Sequence, residues 1–239
     1  MIQVFSNRKD KKHLYQFTDL NEGTDENGIS FEPIEVAISG NGTDWQSMYD
    51  SPDLDNVYVA DSPYVAEAKS TDDYQKVGIN DGERLIASSY SQRELKVEFA
   101  FEGIDENDIK LSFDALQRFF VSRDPYWICF DNWPQRMYYV KATTIEQTNF
   151  TTKGYFVTVT FIDQIGLSRS IGSTGNWDNH IKGFGNNESN AGENYTFTGS
   201  DFMVRNLSDV LIDPERRGHP FRLIANGSSS GKFKIANQT

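Results

Sequence analysis

The stretch Asp105 to Gln164 constrains the fold more than any other part of the chain, because it joins the clearest helix to three strand-like runs. Asp105 stands where an N-cap is needed, and the acidic first turn Glu106 to Asp108 favours the positive end of the helix dipole. Ile109, Phe113, Leu116 and Phe120 recur at spacings of four, three and four, which puts them on one face. Lys110, Gln117 and Arg118 fall away from that stripe. The pattern stops at Arg123-Asp124-Pro125, since the residue before a proline is pushed out of the helical region. Tyr126 to Phe130, Met137 to Ile145 and Tyr155 to Ile162 then read as strands. In the last, Val157, Val159 and Phe161 share one face, and Phe156, Thr158, Thr160 and Ile162 the other. Turns are expected at Asp131-Asn132-Trp133-Pro134 and Asn149 to Gly154. The pattern predicts a helix lying across an antiparallel sheet, with no catalytic constellation in it.

A chain of 239 residues is long enough for one large or two modest cores, and its excess of Phe (17) and Tyr (11) leans toward β structure. No run approaches the roughly 18 apolar residues of a spanning helix. Met1 leads into polar Ser6 to Lys12, so no signal peptide is expected. A net charge of −12 argues against nucleic acid as partner, which would call for clustered Lys and Arg. The single cysteine, Cys129, lies in an apolar strand and reads as a buried, inert thiol.

Upstream, Ile2 to Phe5 and Leu14 to Phe17 read as two short strands around the polar, mostly basic Asn7 to Lys12. Asp19 to Asn27 reads as an acidic loop, and Ile34 to Ile38 as a strand ended by Gly40-Asn41-Gly42. Trp45 to Asp55 is irregular; Val57 to Ala60 and Tyr64 to Ala68 are weaker strands. Ser70 to Glu83 is mostly polar and is expected to be a long loop. Arg84 to Ala87 starts a strand, and Leu95 to Phe101 alternates as a half-buried one. Gly166 to Asn194, rich in Gly, Asn and Ser, is expected to be a connector. Tyr195 to Phe197, Phe202 to Val204, Phe221 to Ile224 and Phe233 to Ile235 are strand-like runs separated by turn residues, as in a β-sandwich. They are too few for a whole sandwich, so either the module is small or the protein continues past Thr239.

The chemistry of known sites is not spelled out. Gly227 to Lys232 fails as a phosphate loop on its glycine spacing and on Phe233. The histidines His13, His180 and His219 have no cysteine pair to join in a zinc site. Asp50, Asp53 and Asp55 lack the glycine and terminal glutamate of a calcium loop. No catalytic, cofactor-binding or metal-binding residue is assigned. Trp45, Trp133 and Trp177 sit in or near loops, where they either anchor the loop or offer an interface or sugar-stacking surface.

LQRFFVSRDPYWICFDNWPQRMYYVKATTIEQT, followed by GYFVTVTFIDQIGLSRS, resembles the distal tail proteins of siphophages that infect Gram-positive hosts. The strand residues Gly82-Glu83-Arg84-Leu85-Ile86 match more loosely. Phe202 to Asn206, Asp213-Pro214 and Ile235 to Asn237 resemble the start of that family's C-terminal galectin-like sandwich. The resemblance implies a mainly β chain with one prominent helix. An α+β antiparallel sheet or split barrel would form the ring over 1–165. A connector would follow over 166–194, and an incomplete galectin-like β-sandwich over 195–239. It implies a homohexameric ring at the distal end of the virion tail, assembled in the host cytoplasm. The ring's partners would be the tail tube protein, a tail fibre or tail-associated lysin, and a receptor-binding or upper baseplate protein. No cofactor, nucleic acid, membrane insertion or enzymatic activity is implied. The galectin likeness is one of fold: no Trp follows Trp177 to stack a sugar. The competing readings are a carbohydrate-binding sandwich on a virion surface and a hydrolase with two converging acids.

Overall fold

The computed structural model describes residues 33–59, 61–79, 81–171, 195–204, 206, 212, 219 and 221–228, together with the backbone of four short strands near the N-terminus. Those four form two antiparallel pairs, β1 (Gln3–Ser6) with β2 (His13–Gln16) and β3 (Gly23–Thr24) with β4 (Ser30–Phe31). Next come β5 (Val36–Ser39), β6 (Gln46–Ser47), β7 (Val57–Val59) and β8 (Tyr64–Val65). β9 (Ser70–Lys76) and β10 (Glu83–Tyr90) make a separate hairpin. β11 (Arg93–Glu102), the helix α1 (Glu106–Phe120), β12 (Tyr126–Phe130), β13 (Arg136–Phe150), β14 (Gly154–Asp163) and β15 (Arg169–Ser170) complete the order.

The main sheet runs β6-β5-β12-β13-β14-β11-β7, with β8 beside β11 and β15 beside β13. Ile34, just ahead of β5, closes it: its N–H donates to Val59 O at 2.8 Å, and the Val59 N–H donates to Ile34 O at 3.2 Å. The antiparallel sheet with its one helix is as expected, and it closes into a barrel with one narrow seam.

Alternation along the central strands builds the core. Leu95, Val97, Phe99 and Phe101 of β11 and Tyr155, Val157, Val159 and Phe161 of β14 are buried. Each such side chain withdrawn from water contributes about 1.5–3 kcal/mol. α1 lays its stripe on these residues: Phe120 meets Phe99 at 5.0 Å and Phe161 at 5.3 Å between ring centroids. The Asp105 carboxylate accepts from the Asn107 and Asp108 N–H groups at the helix start. At the other end the Tyr126 hydroxyl donates to Phe120 O, so β12 holds the last turn. Ser112 Oγ and Tyr155 Oη make a further buried polar contact at 2.9 Å.

β13 carries two bulges, with Thr143 and Thr148 as the extra residues. Each threonine turns its hydroxyl back to a β14 carbonyl, Thr160 O and Phe156 O, both at 3.0 Å. The bulges coil the strand around the barrel rim without leaving those carbonyls bare.

Several expectations are corrected. Ser70 to Glu83 is not a long loop: 70–76 is a strand, and Arg84 to Ala87 belongs to an eight-residue partner. Both faces of this hairpin meet water, so it has no apolar period to betray it. β13 runs through Phe150, well past Ile145, because its exposed end is polar Thr, Glu and Gln. Asp19 to Asn27 includes β3, and Tyr64 to Ala68 is a strand only over two residues. Trp45 to Asp55 contains β6 and two 3-10 turns, Met48–Asp50 and Pro52–Leu54, which bury Met48 and Leu54. The connector does not begin at Gly166, since β15 pairs with Arg136 and Met137 and the Ile171 N–H reaches Gln135 O. Among the described residues beyond 194 there is no strand, so Tyr195 to Phe197, Phe202 to Val204 and Phe221 to Ile224 are not the strands expected. Their Met203, Phe221 and Ile224 are exposed, and an extended segment without a neighbour leaves its backbone groups to water. Phe233 to Ile235, Asn7 to Lys12 and Trp177 lie outside the described residues.

Candidate assembly surface

The β9–β10 hairpin is an arm without a core of its own. Its register pairs Lys76 with Glu83, Tyr74 with Leu85, Asp72 with Ser88 and Ser70 with Tyr90. Ile86 is the extra residue of a bulge between Leu85 and Ala87. Tyr74, Leu85, Ile86 and Tyr90 are each about half exposed, as is Val77 at the tip, and Ile79 is fully exposed. A monomeric surface seldom gathers so many large apolar groups on one short projection.

Polar bonds hold the register where packing does not. Asp72 is the centre: its carboxylate accepts from Ser88 Oγ at 2.6 Å, and from Ser70 Oγ and Tyr74 Oη at 3.3 Å each. The tip turns through Gly78 and Gly82, with φ +64° and +91°, which glycine adopts without the Cβ penalty. Among the described residues β9 and β10 pair only with each other, which leaves their outer edges as a template for another chain.

Residues 50–162, which span β7 to most of β14 and include the whole arm, match the phage tail protein RIFT-related domain. The chain resembles siphophage distal tail proteins and has its place in the virion tail. No curated protein matches it. Among solved structures, it is similar to the Dit protein (gp 19.1) of SPP1, described as a hub adsorption apparatus in Gram-positive infecting phages. That match has 19% identity and a TM-score of 0.45, over 57% of this chain and 52% of that one. The chain thus spans about half the length of that relative. It is also similar to a chain in the tail of an empty GTA particle of C6 symmetry, at 11% identity and TM-score 0.30. That match covers 56% of this chain and 92% of the other.

The remaining sequence candidates in this chain have structural duties. Trp45 is buried beside Ala37 and Cys129, so it anchors its loop. Trp133 is half exposed, with the Arg136 guanidinium stacked 4.0 Å from the ring centre. Asp50 closes a capping box with Ser47, and Asp53 faces Arg118 at 3.7 Å. Among the described residues no three His, Cys, Asp or Glu converge on a point. Burial pushes the Cys129 thiol well up, and the charges of Glu35 and Asp131 add to it, so a thiolate nucleophile is disfavoured. The buried Glu35 carboxylate accepts from the Ser47 hydroxyl. The hairpin as a whole was missed in the sequence because both of its faces meet water and β9 carries no apolar period. The one visible cue was Asp81-Gly82, a hairpin turn pair.

Proposed function

We propose that this chain is the structural hub of a siphophage tail tip. Six copies form a ring that joins the tail tube protein to the tail fibre or tail-associated lysin, without enzymatic activity. In this reading residues 1–165 supply the ring, and the segment beyond the connector carries receptor-binding or upper baseplate proteins. The observation that carries the ring is the arm. It exposes Tyr74, Val77, Ile79, Leu85, Ile86 and Tyr90 on strands with open edges, a surface suited to a neighbouring copy. A contact between an arm and a different patch on the next copy is heterologous, and such contacts close into rings when the rotation permits. The β1–β2 hairpin is a second contact of the same kind.

Light scattering over a concentration series tests this. The full chain is expected at six times its monomer mass, alone or after mixing with neighbouring tail proteins. The Ser91 N–H donates to Lys69 O at 2.8 Å, so a two-residue Gly-Ser link can replace 70–90 with little disturbance. That variant is expected as a folded monomer. Normal oligomer mass after the deletion would remove the arm from the ring. A full chain that stays monomeric with every tail partner, yet binds cell-wall polysaccharide, would overturn the hub reading.

A further inference from the structure

The arm continues the β8–β11 ladder. Val65 faces Leu95, and the Ala66 N–H donates to Glu94 O at 2.9 Å. Pairing resumes at Lys69 and Ser91, then Ser70 and Tyr90, with no residue gained or lost between the two stretches. Between the two stretches Glu67 and Ala68 belong to no strand. The lapse lies where β14 ends at Asp163, opposite Arg93, so β11 loses its other neighbour at the same level. Two strands with a break in their ladder and no sheet beside them can bend there. The arm beyond is exposed on both faces and gains no orientation from the core.

Charged and close-packed groups converge on that bend. Asp163, fully buried, accepts from Arg93 Nε at 2.9 Å, and the Arg93 side chain is 11% exposed. The same guanidinium reaches Ala66 O at 3.5 Å, on the opposite leg of the bend. The other Asp163 oxygen accepts from the Ile165 and Gly166 N–H groups at 3.1 and 3.2 Å. Gly166 has φ +73° and lies so close to Ser91 O that a Cβ would collide with it. Gln92 Nε2 donates to Gln164 Oε1 across the same gap.

We propose that Arg93, Asp163 and the 163–166 turn form a latch that fixes the direction of the β9–β10 arm relative to the barrel. Arg93 and Asp163 are positioning residues: they hold the two legs of the arm at its root and touch nothing at its tip. The latch does not rest on the ring reading, because it sets a direction within one copy.

The test is a distance measured by pulsed electron resonance between spin labels at K76C on the arm and E98C on the barrel. Both sites are exposed, and labelled chains are diluted into unlabelled protein. The parent is expected to give one narrow distance. Asp163→Asn keeps the acceptor for Ile165 and Gly166 but loses the charge that holds Arg93, and it is expected to at least double the width of the distribution. A parent distribution already as broad as the variant's would overturn the latch, as would an unchanged narrow one in folded Asp163→Asn. If the variant does not fold, hydrogen exchange on the parent decides. The amides of Ser91, Ile165 and Gly166 are expected to exchange at least tenfold more slowly than those of β9. Equal rates would overturn the proposal.

Discussion

Single residues in this chain report on how tightly the barrel is closed. The Tyr155 hydroxyl is pushed up to about 12 by burial, a shift partly offset by its bond to Ser112. An unfolded phenol ionises near pH 10. The neutral buried form therefore stabilises the fold fully below about pH 10, and that contribution is lost as the pH rises from there through about 12. Tyr49 and Tyr126 are raised by burial too and act with the same sign. Urea midpoints are expected to fall between pH 9 and 11, with a shallower fall in Tyr155→Phe; an identical slope in the variant would contradict this account. Ser112→Ala leaves the Tyr155 hydroxyl buried without its partner and is expected to cost about 1–3 kcal/mol. The double variant with Tyr155→Phe is expected to cost less than the two single changes together, because it removes both polar ends at once. A double-mutant cycle by chemical denaturation checks it.

At the level of elements, what the sequence disclosed depended on which faces meet water. α1 and β14 were legible because one side of each is apolar and buried, so Ile109, Leu116 and Phe120, or Val157, Val159 and Phe161, keep step with the period. β9 and the distal half of β13 were not, because neither side is buried and Thr, Gln, Asp and Glu carry no such signal. The latch was hidden for another reason: Asp163 at a strand end reads as an ordinary turn residue, and its burial emerges only once β11 and β14 are in register. The threonine bulges of β13 were likewise invisible, since a bulge is a mismatch between two strands and not a pattern in one. Thr143→Val and Thr148→Val each remove the hydroxyl that answers a β14 carbonyl. Each is expected to lower stability by about 0.5–1.5 kcal/mol, read from the denaturation midpoint. No loss in either would mean that water replaces the hydroxyl without cost.

The whole molecule divides into a closed barrel and what projects from it. Closure rests on two hydrogen bonds between Ile34 and Val59, whereas β11 and β14 share a ladder ten residues long. The seam is therefore expected to open before the barrel unfolds. Hydrogen exchange at Ile34 and Val59 should run faster than at Val97 and Val159, and equal protection would mean that opening is global. The arm has the opposite character, since none of its side chains belongs to the buried core. Its residues are free to change in step with whatever surface they meet, without disturbing Phe99, Phe120 or Phe161. Sequence divergence among related chains is therefore expected to be greatest along 70–90 and least along the strands that pack against the helix.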